Sequence, residues 1–379
     1  MMVVLFCGQS SYPRNDSATA NRYRALAEMT AELGYEIIFV NRHPPLRQDE
    51  SRNFNADFPV INSSGKFRFE GWLTRQLRRI FAVFFESAKI MRIAKNNSVK
   101  IINIYTQFAL DLPFYYLISR LIGAKCVVHV TENRSQLSHR KALGKINDLL
   151  YDLFATSLFS RFITISSVLK EMVLANGKEV LVVSIPPVFR FEVMKSIPAM
   201  VGERPYFAYC ASSAYEEVIW FVIQAYNSME NVEADLVLVI NGSLSTRIEA
   251  ACRANSRITL RSNVEYGQLL SLYKGALALL IPLRNTPQDI ARYPQKITEY
   301  LASGRPIIST RFGEVGRHFA HQKTALLAQD YDVAQFAALM DFALSQPAML
   351  DEIAKKGYQL GMQLFDSHAQ SRILKLAFQ

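Results

Sequence analysis

IPLRNTPQDIARYPQKITEYLASGRPIIST, residues 281–310, is the stretch of sequence that decides the fold. It reads as a buried strand, a polar loop, a short helix, a tight turn and a second apolar strand. Pro294 suits the first position of the helix, and Ser303-Gly304 followed by Pro306 marks its end. Two strands joined through a helix are expected to lie parallel in one sheet.

The same alternation continues on both sides of this stretch. Apolar runs that read as strands lie at residues 3–6, 36–40, 101–105, 126–130 and 162–165, and again at 206–209, 236–240, 258–260, 277–281 and 306–309. Alternating strands and helices predict parallel sheets covered by helices on both faces. Residues 184–204 are rich in proline and charge and follow neither period, so we place a linker there.

The predicted fold class is therefore α/β, with two doubly wound Rossmann-like domains that face one another across a cleft. We expect an N-terminal domain at residues 1–190 and a C-terminal domain at residues 203–355. Residues 356–379 are expected to form a C-terminal helix that packs back on the N-terminal domain. A chain of 379 residues has room for two such domains.

The formal net charge of +10 is concentrated in the first half of the chain. Residues 1–200 contain 26 Lys plus Arg and 16 Asp plus Glu, whereas residues 201–379 contain 17 of each. This asymmetry indicates an anionic partner for the first half, such as phospholipid or a lipid-linked phosphate. No nucleic-acid-binding module is recognisable, so we expect no nucleic acid partner.

The cysteines and the apolar runs indicate where the protein works. Cys7, Cys126, Cys210 and Cys252 are widely spaced and form no CxxC pair, so neither a disulfide framework nor a zinc site is predicted. No uncharged apolar run is long enough to span a bilayer. We expect a cytoplasmic protein, peripheral on the inner face of the cell membrane.

Lys296 and Glu299 form the most informative pair of charged residues. Lys296 lies in the first turn of its predicted helix, where the helix dipole disfavours a cation unless an anion such as phosphate binds there. Glu299 follows three residues later on the same helix face, and its carboxylate could accept hydrogen bonds from two ribose hydroxyls. A solvated Lys/Glu pair is an equally good interpretation of the spacing alone.

The same residues resemble a known signature. Their pattern is similar to the donor site of retaining GT-B glycosyltransferases of family four, in the form found in bacterial polysaccharide and lipopolysaccharide enzymes. The matching positions are Pro294, Lys296, Glu299, Tyr300, Leu301, Ala302, Gly304, Pro306 and Ile307. Weaker similarities in the same order extend over nearly the whole chain, at Gly8 to Pro13, Asn21-Arg22-Tyr23, Ile185-Pro186-Pro187, Asn241-Gly242 and Asn263-Val264-Glu265-Tyr266.

The resemblance implies a role for each matching residue. Glu299 would hold the ribose, Lys296 the diphosphate and the Val264 backbone the base. Donor contacts are further implied for Gly8, Ser10, Ser212, Arg284, Asp289 and Arg292. His129, Thr131 or Glu132, at the end of a strand of the first domain, would touch the donor sugar at the catalytic centre. A packed strand-end histidine is at least as good an interpretation of His129. In the mechanism proposed for the family, the departing phosphate oxygen takes the acceptor's proton, and no metal or other cofactor is needed.

Two positions depart from the family pattern. The family's second acid, eight residues before the ribose glutamate, is here Ala291. Either Asp289 or Arg292 takes over the role of the missing acid, or the protein recognises the donor sugar in a different way. The Arg and Lys that often follow the first strand of the second domain are also absent, so the phosphate would depend on Lys296, with Arg284 or Arg292 as helpers.

Residues 70–93 read as an amphipathic helix with a basic side. Its candidate membrane or acceptor contacts are Trp72, Arg75, Arg78, Arg79, Phe81 and Phe85. Such a helix can lie on an anionic bilayer. An ordinary domain helix with a basic solvent face carries about equal weight.

The sequence is best interpreted as a retaining, metal-independent, hexosyltransferase-like enzyme of bacterial surface polysaccharide synthesis. It would move a sugar from a nucleotide-sugar donor to a glycan or lipid-linked acceptor. The DxD at Asp330 and Asp332 is read as a helix N-cap rather than a metal motif. A non-catalytic scaffold of the same fold and a nucleotide-sugar epimerase are the alternatives.

Overall fold

The structure, a computed structural model, describes residues 2–10, 12–13, 18–42, 56–63, 72–134, 142–176, 179–231 and 233–379, without the side chains of Ala18 and residues 72–81. The chain divides into two compact units. The N-terminal unit comprises residues 1–188 and 370–379, and the C-terminal unit comprises residues 189–369. The division falls inside the segment 184–204, which is not irregular throughout, because Phe191–Ser196 form helix α6.

The N-terminal unit is built on a seven-stranded parallel sheet in the order β3-β2-β1-β4-β5-β6-β7. Its strands are β1 (Met2–Gly8), β2 (Glu36–Asn41), β3 (Val60–Asn62), β4 (Ser98–Tyr105), β5 (Lys125–Val130), β6 (Arg161–Thr164) and β7 (Leu181–Ser184). Apolar residues fill β1 because both of its faces are buried. Val3 and Leu5 join one hydrophobic core, and Val4 and Phe6 join the other.

Helices cover both faces of this sheet. They are α1 (Ala18–Glu32), α2 (Trp72–Asn96), α3 (Asp111–Ile122), α4 (Ala142–Leu158), α5 (Ser167–Leu174) and the C-terminal α15 (Ser367–Phe378). Ile90 of α2, Ile118 of α3 and Tyr151 of α4 belong to the core that contains Val3. Ala27 of α1 and Leu374 of α15 belong to the core that contains Val4, so α2, α3 and α4 share one face and α1 and α15 share the other.

The C-terminal unit has a six-stranded parallel sheet in the order β10-β9-β8-β11-β12-β13. Its strands are β8 (Tyr206–Ser212), β9 (Asp235–Asn241), β10 (Ile258–Arg261), β11 (Ala278–Ile281), β12 (Ile307–Thr310) and β13 (Leu326–Ala328). Its helices are α6, α7 (Glu216–Asn227), α8 (Thr246–Ala254), α9 (Tyr266–Gly275), α10 (Pro287–Ala291), α11 (Lys296–Ala302), α12 (Gly313–His318), α13 (Val333–Ser345) and α14 (Pro347–Phe365). Together they confirm the α/β fold with two parallel sheets.

Each sheet has one place where the direction of strand addition reverses. In the N-terminal unit it lies between β1 and β4, and in the C-terminal unit between β8 and β11. In open α/β sheets, ligands bind beyond the carboxyl ends of the strands at such a point. The candidate residues of the C-terminal unit lie at the end of β8 and in the segments that follow β10 and β11.

Three details differ from the expectations. Helix α11 begins at Lys296 and not at Pro294, because a tight turn in which Ile297 N donates to Pro294 O (3.2 Å) precedes it. The loop after β11 contains the additional helix α10. The chain after residue 355 is not a single helix, since α14 ends at Phe365 and α15 follows. The predicted end of α11 is confirmed, with Gly304 in the left-handed conformation (φ 73°).

Candidate functional site

Lys296 lies at the start of α11, beside the end of β8. Its half-buried ammonium group donates a hydrogen bond to the carbonyl oxygen of Cys210 and lies 4.4 Å from the ring centroid of Tyr209. Burial lowers the pKa of Lys296 to about 8, although Cys210 and Glu299 oppose the shift. The ammonium group is thus held at the point where the strand order of the sheet reverses. Its protonated form is less stable than that of an exposed lysine, and a bound anion would stabilise it.

Glu299 is one turn further along α11 and is buried. Its Oε1 accepts a hydrogen bond from the Tyr266 hydroxyl at 2.8 Å. Burial raises the pKa of Glu299 to about 7, and the Tyr266 hydrogen bond and the charge of Lys296 only partly oppose this. A buried carboxyl group with such a pKa is typical of functional sites, because additional donors are needed to stabilise its charge.

Tyr266 connects this pair to the loop after β10. It is the first residue of α9, and Glu265 caps that helix by accepting a hydrogen bond from Gln268 N at 3.2 Å. Asn263 has a positive φ of 52°, which turns the chain just before the half-buried Val264. The loop predicted to hold the base is therefore anchored next to Glu299. The partnership of Tyr266 and Glu299 had no signal in the sequence, because 33 residues separate them.

Arg284, Asp289 and Arg292 form a charged cluster around α10. Asp289 is fully buried, and its carboxylate is 2.8 Å from both Arg284 Nε and Arg292 Nη2. Burial alone would raise the pKa of Asp289, but the hydrogen bonds from Arg284 and the charge of Arg292 outweigh it and lower the pKa. Asp289 thus forms ion pairs with two arginines. The three side chains together carry a net charge of about +1.

Arg292 also contacts the segment that follows β8. Its Nη1 donates to the Tyr215 hydroxyl at 2.8 Å, and its guanidinium carbon lies 4.8 Å from the Tyr215 ring centroid. Its buried Nε has no hydrogen-bond partner among the described residues. Ser212, by contrast, is exposed and caps the short 3-10 helix Ser213–Tyr215 by accepting from Ala214 N. Tyr215 is a further site residue that sequence reasoning missed.

Ala291, which replaces the expected acid, is buried. Gly313, the first residue of α12, has φ 57°, and a Cβ atom there would lie 2.9 Å from the carbonyl oxygen of Ile290, the residue before Ala291. Only glycine allows this approach without strain. Neither Ala291 nor Asp289, which is paired with two arginines, therefore offers a free carboxylate at this place.

In the N-terminal unit, the predicted donor contacts Gly8 and Ser10 lie at the end of β1 and just after it. Gly8 has φ 107°, and a Cβ atom there would lie 2.0 Å from Tyr105 O, so glycine is required by packing within the unit. The buried Ser10 hydroxyl donates to Asn41 Oδ1 at 2.6 Å. Ser10 is thus held by β2 through its side chain.

His129 and Glu132 differ in their surroundings. His129 is buried near the end of β5, with its ring centroid 5.2 Å from that of Tyr23 and its Nδ1 without a hydrogen-bond partner among the described residues. Burial lowers the pKa of His129 to about 3, and the charge of Arg22 contributes, so its imidazole is neutral at physiological pH. Glu132 is exposed in the segment that follows. Their catalytic role stays a prediction.

The predicted membrane or acceptor contacts belong to α2. The side chains of Trp72, Arg75, Arg78, Arg79 and Phe81 lie outside the described part of the chain. Phe85 is described, and 61% of its surface is exposed. No helix within the described ranges is long and apolar enough to cross a bilayer.

The N-cap interpretation of the DxD is confirmed. The side chain of Asp332 accepts a hydrogen bond from Gln335 N at 2.9 Å and caps α13. Among the residues that the structure describes, no cluster of three or more His, Cys, Asp or Glu side chains has the arrangement of a metal site.

Comparison with known proteins gives a match to one family model and a set of structural neighbours. Residues 191–360 match the family model for glycosyl transferases group 1. A search of the curated proteins found no match. Sucrose-phosphate synthase from Thermosynechococcus elongatus is similar in structure with a TM-score of 0.75 at 15% identity, and the alignment covers 98% of this chain and 97% of that chain.

Two further structural neighbours are a protein solved with a nucleotide sugar and a galactosyltransferase. HepE from Anabaena, solved in complex with UDP-glucose, has a TM-score of 0.71 at 13% identity, over 98% of each chain. The lipopolysaccharide outer core galactosyltransferase WaaB has a TM-score of 0.65 at 14% identity, over 99% of this chain and 98% of that chain. The chain therefore has the α/β fold of GT-B glycosyltransferases, and its C-terminal unit matches the glycosyl transferases group 1.

Proposed function

We propose that this chain is a retaining, metal-independent glycosyltransferase of family four that uses a nucleotide-sugar donor in bacterial surface polysaccharide synthesis. The observation that carries the proposal is the Lys296–Glu299 pair at the switch point of the C-terminal sheet. Both side chains have pKa values displaced by burial in the direction that a nucleoside diphosphate would reverse. Residues 191–360, which match the glycosyl transferases group 1, include both.

In the proposed complex, the diphosphate lies against the ammonium group of Lys296. The ammonium group of Lys296 then donates its hydrogen bond to the diphosphate instead of to the carbonyl oxygen of Cys210. A charged acceptor forms a stronger hydrogen bond than a neutral carbonyl oxygen does. Arg292, whose guanidinium group pairs with Asp289 and Tyr215, adds a positive charge. Arg284 keeps Asp289 in place. The cationic side chains then stabilise the charge that develops on the leaving diphosphate.

Glu299 holds the ribose of the proposed donor. Two ribose hydroxyls donate to its carboxylate, which now accepts one bond from Tyr266. The ionised form gains two hydrogen bonds, so binding favours deprotonation of a group whose pKa in the free protein is about 7. The base lies at the Val264 loop, which Tyr266 anchors to the same carboxylate.

The transfer step breaks the bond between the sugar C1 and the diphosphate oxygen and forms a bond from C1 to an acceptor hydroxyl oxygen on the same face. The acceptor's proton goes to the departing phosphate oxygen, so no protein base is required. His129 is buried, and its low pKa leaves the imidazole neutral, so no proton transfer is assigned to it. The acceptor is a glycan or a lipid-linked sugar at the inner membrane surface.

The experiment that tests this function combines donor binding with stereochemistry. UDP-glucose is the first donor to try, because HepE was solved with it, and GDP-, ADP- and CMP-sugars complete the screen. A thermal shift with one nucleoside diphosphate, followed by NMR of the product with unchanged anomeric configuration, supports the proposal. Inversion of configuration contradicts the retaining mechanism, and the absence of a shift with every nucleotide contradicts the donor site.

The matched control is a second Lys/Glu pair three residues apart. Glu352 and Lys355 lie exposed on α14 of the same unit. Glu299→Ala should abolish the nucleotide-induced shift, whereas Glu352→Ala should leave it unchanged. Equal behaviour of the two variants would refute the site assignment.

A further inference from the structure

Three neighbouring helices of the N-terminal unit carry large apolar side chains on their outer surfaces. The exposed residues are Phe84, Phe85 and Met91 of α2, Leu110 at the start of α3 with Leu117 and Leu121 within it, and Leu143, Ile146, Leu149 and Leu153 of α4. We call this set the outer leucine face. Leu121 and Leu149 expose 65% and 69% of their surface. Clusters of large exposed apolar residues mark interaction sites, whereas single ones do not.

The spacing shows that these residues form stripes along the helices. On α3 they recur with helical spacing at 110, 117 and 121, and the half-buried Phe114 fills the gap between them. On α4 they recur at 143, 146, 149 and 153. The opposite sides of the same helices already pack in the core of the unit through Leu112 and Tyr151. These helices are therefore apolar on both sides, which core packing alone does not require.

Aromatic contact joins the stripes of α2 and α3. The Phe84 and Phe114 rings meet edge to face with centroids 5.0 Å apart. Helices α2 and α3 are packed side by side on the same sheet face, as are α3 and α4. The exposed side chains thus belong to one surface rather than to three separate ones.

Most of the described acidic side chains of these three helices are buried. Glu86 of α2 and Asp111 of α3 are buried, and both form ion pairs with the buried Arg42. Asp148 of α4 is also buried. Asp152 is the only exposed acid on the described side chains of α2, α3 and α4.

The basic residues have the opposite arrangement. Arg92 and Lys95 of α2, Arg120 of α3 and Lys145 of α4 are all exposed. An open groove on α2 is lined by Ala88, Met91, Arg92, Lys95 and Asn96, which combines apolar and cationic groups. The outward surface of the three helices is therefore apolar and positively charged.

We infer that the outer leucine face docks on an anionic lipid bilayer, with α3 and α4 inserting their leucines below the headgroups. Apolar side chains with flanking cations suit such a surface, because area burial and attraction to anionic lipid add together. A second copy of the chain would place the same cations against each other, which is unfavourable. The inference rests on the proposed membrane-bound acceptor and deepens it, since it moves the contact beyond α2 to α3 and α4.

The test is cosedimentation of the full chain with phosphatidylcholine vesicles, with and without phosphatidylglycerol. Leu117→Gln/Leu149→Gln should lower the partition coefficient on the anionic vesicles by at least about tenfold, because two buried leucines are lost from the bilayer. The control is Ile373→Gln/Leu376→Gln on α15, whose residues are exposed on the opposite side of the sheet. That control should bind as the wild type does, and added salt should weaken binding for both.

Two results would overturn the inference. One is equal vesicle binding by the leucine variant and the wild type. The other combines two observations: the wild type is a dimer in sedimentation velocity and the leucine variant is a monomer, and neither protein binds vesicles. UDP-induced thermal shifts on the same samples separate the two proposals. A wild-type protein that shows the UDP shift but does not bind vesicles rejects only the docking surface, whereas a wild-type protein that binds vesicles without a UDP shift rejects only the donor site.

Discussion

Replacement of Glu299 by glutamine should stabilise the nucleotide-free protein while destroying its nucleotide site. Burial raises the pKa of this carboxyl from its ordinary 4.5 to about 7. At about 1.4 kcal/mol for each pKa unit, ionisation of Glu299 at pH 8 costs the folded state about 3 kcal/mol. The glutamine side chain carries no charge and can still accept the Tyr266 hydrogen bond, so this cost disappears.

The sign of the pH dependence follows from proton binding. Between pH 4.5 and about 7 the folded chain holds a proton on Glu299 that the unfolded chain has released, so wild-type stability falls as the pH rises through this window. The stability of the Glu299→Gln variant should not show this fall with rising pH. At pH 8 its C-terminal unit should melt about 6 °C or more above the wild type, given about 2–4 °C per kcal/mol for a domain of this size.

Differential scanning calorimetry at pH 5 and pH 8 measures both effects. Glu352→Gln, an exposed change in the same unit, should alter the melting temperature by less than about 2 °C at either pH. A Glu299→Gln variant that is less stable than the wild type at pH 8 would refute the reasoning. It would mean that the carboxylate is already stabilised by partners in the free protein.

Other variants test the remaining parts of the site. Lys296→Met should weaken UDP binding about 100-fold in isothermal titration, because a desolvated charge partner is lost, whereas Lys355→Met should not. Wild-type UDP affinity should peak between pH 7 and pH 8, where Glu299 is ionised and Lys296 is protonated, and an affinity independent of pH would contradict these roles. Asp289→Asn should lower the free energy of unfolding by about 3 kcal/mol in urea titration, because Arg284 and Arg292 lose a buried counter-ion; a neutral effect would contradict the cluster. Gly313→Ala should lose about 1–3 kcal/mol in the same assay, and unchanged stability would show that the loop relaxes.

Most of each sheet could be predicted because its strands are buried on both faces. The apolar runs predict ten strands, and all ten are present as β1, β2, β4, β5, β6, β8, β9, β10, β11 and β12. The missed strands β3, β7 and β13 are short. Each of them lies at the edge of its sheet. The edge strand β10 has four residues, three of them exposed, and was nevertheless predicted, so neither edge position nor burial alone decided which strands had a signal.

The site could be predicted only where its residues are close in sequence. Lys296 and Glu299 share one helix, so their spacing was enough to pair them. The contacts of Tyr266 with Glu299 and of Tyr215 with Arg292 join segments far apart in the chain, and no periodicity encodes them. The pairing of Asp289 with two arginines was likewise hidden, because its burial depends on how α10 packs.

The central claim is that a nucleoside diphosphate binds at Lys296 and Glu299. A crystal structure of the chain with UDP tests it most directly. The account predicts a phosphate oxygen within about 3 Å of Lys296 Nζ and both ribose hydroxyls within hydrogen-bond distance of the Glu299 carboxylate. UDP bound elsewhere, with Lys296 still on Cys210 O and Glu299 bonded only to Tyr266, would contradict it.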